Sequence, residues 1–322
     1  MSAAPDLDVS VIIATRNRAT LLADTLGHIA RQEVGGLTWE AIVVDNGSTD
    51  RTAAVLESAR GTLPLVALTE PRPGKNRAMN RALEAARGRL LIFSDDDVVP
   101  GPGWVREMAG AADRWKEHGI LGGPVLLTFP AGTPEWLKEC ALRGANLPQF
   151  VQPQGEGPLA HAPFGPNYAV RRALLAGLRF DEGIGPTAGT SYAMGSETEL
   201  LVRLMKHHGV GAVYVPDAAI QHLVLPTQLE TASLLRRAFR SGRSAVRLGW
   251  DWYVTRRGRP ILGAPAYLWR MALMGGANYA LRLPAGRRRS LAAGLRFSYL
   301  LGCLHEHRSR AAASGQAIPL PS

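Results

Sequence analysis

Only two cysteines, Cys140 and Cys303, occur in 322 residues, and they lie far apart. They offer neither a disulfide framework nor a metal-binding spacing, so both read as ordinary buried or partly buried thiols. Acidic residues are in deficit. The 27 Asp and Glu face 37 Lys and Arg, 33 of them arginine, for a net charge of +10. Such a balance calls for an anionic partner: the phosphates of a small ligand, a nucleic acid or an acidic membrane surface. Long hydrophobic runs are missing too. The greasiest stretches, 266–283 and 291–304, are interrupted by Arg270, Arg282 and Arg296, which favours packed or interfacial helices over membrane spans. The opening Met-Ser-Ala-Ala-Pro-Asp has neither a basic nor an apolar leader segment. A cytoplasmic location, with room for peripheral attachment to the cytoplasmic face of a membrane, is therefore expected. No internal repeat is visible, and the apolar fraction is that of a globular chain.

What is present begins with alternation. Val9–Ala14, Glu40–Val44 and Leu65–Leu68 read as buried strands. Helices opened by Thr20, by Thr49 or Asp50, and by Gly74 separate them, the pattern of a wound α/β sheet. Four apolar residues, Leu90 to Phe93, then lead through Ser94 into Asp95-Asp96-Asp97. A short apolar run of this kind is a strand buried on both faces, and its carboxyl end is where open α/β sheets place their ligands. With a two-residue period, Asp95 and Asp97 converge while Asp96 faces elsewhere. Converging carboxylates call for a cation between them, and a hard divalent ion suits oxygen ligands.

Beyond Pro100 the pattern loosens. Ile120–Leu127 is expected as one strand, and 128–163 resists assignment. Residues 183–195 are rich enough in glycine to suggest a mobile lid. Glu197–His207 reads as a helix, and Val213–Pro216 as a last strand with His222 just beyond it. From about residue 226, apolar positions and arginines alternate at helical spacing over 229–250, 266–283 and 291–304. Domains are therefore expected at 1–225 (the α/β unit) and 226–305 (a basic amphipathic helical region for acceptor or membrane association). Residues 306–322 read as a disordered tail.

Taken in order, these pieces resemble the family 2 glycosyltransferases, inverting enzymes of the nucleotide-sugar-binding GT-A fold, a Rossmann-like mixed sheet. The resemblance rests on Val11–Arg18, Ile42–Asp50, Gly74–Asn80, Asp95-Asp96-Asp97, Gly165-Pro166-Asn167 and Gly195–Leu200. It covers roughly the first 225 residues. It implies that Thr15, Arg16 and Asn17 line the nucleotide pocket, that Asp45 accepts hydrogen bonds from base or ribose, and that Lys75 and Arg77 lie near the diphosphate or base. Asp95 and Asp96 would complete the nucleotide-sugar site. Asp97, with Asp95 and with His222 as third ligand, would hold Mn²⁺ or Mg²⁺. The family usually shows an acidic pair after a glycine, where this chain has Ser196-Glu197. Ser196 and Glu199 also fit a capping box, which leaves Glu197 as the free carboxylate and the expected general base. Glu is one methylene longer than the Asp usual there. Trp136 is a candidate wall for an acceptor sugar.

The function implied is inverting, metal-dependent transfer of a sugar from a nucleoside diphosphate, UDP first among them. The acceptor would be a hydroxyl of a saccharide, polysaccharide or lipid-linked saccharide. Two alternatives stay open: a nucleotidyltransferase on a related sheet, against which the absence of a glycine-rich loop after the first strand counts, and a non-catalytic nucleotide- or glycan-binding subunit. Nucleic acid is not expected as a partner, because the arginines sit on helices with apolar faces and lack interleaved aromatics.

Overall fold

A computed structural model describes residues 6–142, 147, 149–152, 154–163, 165–187, 192–249, 251–255 and 258–314. Its elements, in chain order, are β1 (Leu7–Thr15), α1 (Ala19–Ile29), β2 (Trp39–Asp45), α2 (Thr52–Ala59), β3 (Leu65–Thr69), α3 (Lys75–Ala85), β4 (Gly88–Ser94) and β5 (Val98–Pro100). Next come α4 (Trp104–Arg114), β6 (His118–Gly122), β7 (Val125–Thr128), α5 (Glu135–Leu142), β8 (Gly157–Leu159), β9 (Tyr168–Arg171), α6 (Ser196–His208), β10 (Gly211–Tyr214) and β11 (Ile220–Leu223). The chain closes with α7 (Thr231–Leu248), α8 (Trp252–Thr255), β12 (Pro260–Ile261), β13 (Ala264–Pro265), α9 (Ala266–Arg282) and α10 (Arg287–Ser314).

Two units emerge. The first takes in residues 1–128, 148–188 and 196–223. It is built on an eight-stranded sheet of order β3-β2-β1-β4-β9-β6-β10-β8. Strands β1 to β4 pair in parallel, whereas β9 runs antiparallel to both β4 and β6. Val11, Ile12 and Ile13 of β1 and Ile92 of β4 are fully buried, as continuous apolar strands between two helical layers must be. A second, three-stranded sheet of order β5-β11-β7 sets His222 in register opposite Val98.

Three elements differ from those expected. The strand expected over 120–127 is two strands on different sheets. Between them Gly123 approaches so closely that a Cβ there would lie 2.0 Å from the Ala218 carbonyl oxygen, and only glycine permits that contact. His222 stands inside a strand, not after the last one. The irregular 128–163 stretch holds α5 and β8. Of the expected lid, residues 188–191 lie outside the described residues.

The second unit, residues 129–147, 189–195 and 224–322, is dominated by α7, α9 and α10. Part of the basic face of α7 is used internally: the half-buried Arg243 pairs with the buried Glu306 of α10 at 2.8 Å. Helix α7 crosses α10 at paired glycines. A Cβ on Gly242 would lie 2.0 Å from the Tyr299 carbonyl oxygen, and one on Gly302 would lie 1.9 Å from that of Phe239. Backbones this close leave no room for a methyl group. Gly302→Ala is therefore expected to lower the unfolding free energy by about 2–3 kcal/mol, read from urea denaturation; an unchanged midpoint would contradict the tight crossing. The tail expected from residue 306 is helical through Ser314, because Glu306 and His307 are buried within this unit. Residues 315–322 lie outside the described residues.

Candidate active site

The three aspartates do not continue the strand. β4 stops at Ser94, and Asp95–Asp97 form a turn into β5. The turn still separates the carboxylates as an alternating pattern would. Asp96 is buried; it accepts from Thr15 Oγ1 at 2.6 Å and pairs with Arg18 at 2.5 Å. Asp95 and Asp97 fall together with His222, with one ligand atom of each lying within 4.8 Å of the others.

Asp97 is held from two sides. Arg18 Nη2 reaches its Oδ2 at 2.6 Å, and His222 Nε2 lies 3.1 Å from its Oδ1. The backbone N–H of Leu223 also donates to the Asp97 carbonyl at 3.0 Å, locking β11 beside the turn. Burial alone would raise the Asp97 carboxyl, but His222 and Arg18 hold it well below the usual carboxylate range. For Asp96, burial wins over Arg18 and Thr15 and pushes the group up to about 6. Close as they are, Asp97 Oδ1 and His222 Nε2 do not form a hydrogen bond, so Asp97 Oδ1, like His222 Nδ1, is buried without a hydrogen-bond partner. An orphaned carboxylate oxygen facing an imidazole and a second carboxylate is a donor set that suits a divalent cation. Asp95, Asp97 and His222 are thus the residues that could hold one.

Lys75, the first residue of α3, donates to Asp95 Oδ1 at 2.5 Å. Burial would lower its ammonium, but Asp95 and Glu197 together hold it above the usual lysine range. Lys75 thus carries its charge between two acids. Asn76, Ser94, Tyr168 and Glu197 join Lys75 and Asp95 around one small cleft. Tyr168 stacks on Phe93 with ring centroids 4.8 Å apart, making a rigid apolar wall. Helix α6 presents Glu197 from its first turn. Glu199 does not fold back on Ser196 as a capping box would require; it forms a bidentate pair with Arg203 one turn on, at 2.9 Å. That contact makes it structural and leaves Glu197 to the cleft.

Other expected residues fall elsewhere. Arg77 does not line the cleft that holds Lys75. It pairs with Glu182 at 3.3 Å, in a groove also lined by Glu70, Arg72 and Arg179. Each step along a helix turns a side chain by about 100°, so Lys75 and Arg77 point to nearly opposite sides of α3. Asp96 is buried, its carboxylate bound by Thr15 and Arg18. Thr15 is buried, its hydroxyl spent on Asp96. Asn17, with φ 52°, takes a left-handed conformation that Asn tolerates. Its side-chain Oδ1 accepts from the Thr49 N–H at 2.7 Å, tying the loop after β1 to the loop after β2. Asp45 accepts from the Ser48 N–H at 2.9 Å, closing its own turn at the end of β2. Arg16 is exposed at the rim.

Three contributors escaped the sequence reading. Arg18 bridges Asp96 and Asp97; the second guanidinium of the Thr15–Arg18 turn was its only signal. Asn76 and Ser94 each bury one polar atom without a partner, Oδ1 and Oγ respectively. The Asn76 amide is oriented by its Nδ2, which donates to the Asp181 carbonyl at 2.6 Å, so its unpaired atom is an acceptor. Unsatisfied groups buried at a cleft point to a polar ligand or a bound water.

Residues 10–178 match the family described as Glycosyl transferase family 2. Validoxylamine A glucosyltransferase of Streptomyces hygroscopicus subsp. jinggangensis is 37% identical over 105 residues, 32% of this chain and 25% of that protein. The match thus spans only a quarter of that relative's length. Succinoglycan biosynthesis protein ExoM of Rhizobium meliloti is 27% identical over 248 residues, 75% of each chain. In fold, the chain resembles a mannosyltransferase from Pyrobaculum calidifontis solved with GDP-Man and Mn²⁺, with TM-score 0.57 at 21% identity, over 95% of this chain and 89% of that one. The architecture is the GT-A fold: a mixed, mostly parallel sheet with C-terminal helices. By its match over more than half its length, the chain belongs to glycosyl transferase family 2.

Proposed function

We propose that the protein is an inverting, metal-dependent glycosyltransferase that moves a sugar from a nucleoside diphosphate, UDP in the first instance, to an acceptor hydroxyl. The observation that carries this reading is the single cleft in which Glu197, Lys75 and Asp95 meet at the carboxyl end of β4. A free carboxylate facing the site suits general-base catalysis. Glu197 takes the proton of the acceptor hydroxyl as its oxygen attacks the anomeric carbon. The bond from that carbon to the phosphate oxygen breaks on the opposite face, and the nucleoside diphosphate leaves. One displacement with one base inverts the configuration.

Asp95, Asp97 and His222 would hold Mn²⁺ or Mg²⁺; the orphaned Asp97 Oδ1 supports that fit. When bound, the ion supplies positive charge against the departing diphosphate. Arg18 holds Asp97 in place, and Lys75 adds a second positive charge beside Asp95. The buried Asn76 Oδ1 and Ser94 Oγ are suited to hydroxyl groups of the sugar. The mannosyltransferase neighbour was solved with a nucleotide sugar and Mn²⁺, and the relative named for succinoglycan biosynthesis favours a saccharide acceptor, free, polymeric or lipid-linked.

Calorimetric titration with UDP, with and without Mn²⁺, tests the reading. Ion-dependent binding is expected. If GDP or dTDP binds in place of UDP, only the donor class changes. If no nucleotide binds under any condition, the catalytic reading falls and a non-catalytic binding subunit replaces it.

A further inference from the structure

Helix α9 buries one side and leaves an equally apolar side in solvent. Leu268 and Ala272 pack into the core of the second unit, and Gly276 lies against the Phe297 ring. Half a turn away, Leu273, Met274 and Leu281 are 73%, 62% and 81% exposed. Ala277 and Ala280 are exposed between them, and Leu283, 53% exposed, follows in the next turn. A helix that is apolar all round normally lies inside a core or a membrane, and a cluster of such side chains marks an interaction surface.

The hairpin before α9 repeats the theme at a cost. Strands β12 and β13 are joined by Leu262 and Gly263, both with positive φ, 49° and 78°. Such a two-residue turn favours Asn-Gly, and a leucine in the left-handed region is strained. Leu262 is nevertheless held there 74% exposed, with Ile261 beside it 47% exposed. The Ile261 carbonyl accepts from Trp269 Nε1 at 2.8 Å, which fixes the hairpin to the first turns of α9.

Charge selects the occupant. Between Asp251 and Glu306 the chain has nine arginines and no acidic residue. Arg270 sits on the exposed face of α9, Arg282 in its last turn, and Arg288 and Arg289 at the exposed start of α10. Apolar side chains flanked by arginines match the interface of a bilayer, with acyl chains below and anionic headgroups around. No helix among the described residues is long and apolar enough to cross a membrane. A helix of this kind lies in the interfacial plane.

We infer that the exposed face of α9, with the Leu262 hairpin, is a docking surface for an anionic lipid bilayer. The inference goes beyond the catalytic reading and does not depend on it, since vesicle binding needs neither nucleotide nor turnover. The full chain is sedimented with phosphatidylcholine–phosphatidylglycerol vesicles and with phosphatidylcholine vesicles alone. Binding to the anionic vesicles is expected, weakened by salt and not displaced by soluble glycerophosphate. The triple variant Leu273→Glu, Met274→Glu, Leu281→Glu should lose about tenfold or more in partitioning, and Arg288→Gln with Arg289→Gln about tenfold, both with unchanged circular dichroism. Absence of vesicle binding, or a triple variant that binds as well as the parent, overturns the inference. So does sedimentation velocity showing a parent dimer that the triple variant breaks, which would make a second copy the occupant.

Discussion

Glu197→Gln is expected to lower kcat by about 10²–10⁴ while leaving nucleotide affinity unchanged. Glutamine keeps the length and hydrogen-bonding shape of the side chain but cannot take a proton. Lys75 is held between Asp95 and Glu197 and retains Asp95 as its partner at 2.5 Å, so the donor side of the cleft survives the change. Stopped and continuous transfer assays read kcat, and calorimetry reads the nucleotide. The competing role for Glu197 is purely structural, an acid in the first turn of α6 that complements the helix dipole. In that case Gln would cost at most about 1 kcal/mol of stability and leave turnover nearly intact. A folded variant with parental kcat would remove Glu197 as the base. Glu199→Gln is the matched control: its carboxylate is committed to Arg203, so it should affect stability and not kcat.

Asp97→Asn is expected to abolish the Mn²⁺-dependent part of nucleotide binding, a loss of about a hundredfold or more. Asparagine fills the same space but offers one neutral oxygen where two charged ones stood. The substitution also weakens the partnership with Arg18 and His222, and breaking a buried ion pair is destabilising. Melting temperature must therefore be recorded beside each titration. Asp96→Asn separates the two effects. Asp96 touches the same arginine but stands apart from Asp95 and His222, so its variant should lose stability and keep ion dependence. If folded Asp97→Asn still binds nucleotide only with Mn²⁺, the cation lies elsewhere.

Much of the fold was legible from local signals. Buried strands separated by capped helices specify a wound α/β sheet because apolar runs of that length have one stable arrangement between helical layers. The aspartate cluster was legible because carboxylates at the end of a buried strand need cationic or hydrogen-bonding partners. Glu197 was legible from its place at a helix start. The separate surroundings of Lys75 and Arg77 were not legible, since rotation along α3 carries them to different grooves.

The sequence by itself determined the parallel strands β1 to β4, the long helices of the C-terminal unit and the types of side chain available for chemistry, because each depends on patterns a few residues long. Tertiary structure alone decided which of those side chains meet. Asp97 and His222 are brought together by the antiparallel pairing of β5 with β11, and Arg18 takes the far side of Asp97 because α1 starts at the same sheet edge. Which carboxylate is neutralised, which stays buried near pKa 6 and which is left free depends on such distant partners. Electrostatic identity is set by neighbours within a few ångströms, and neighbours across a sheet leave no periodicity in the chain.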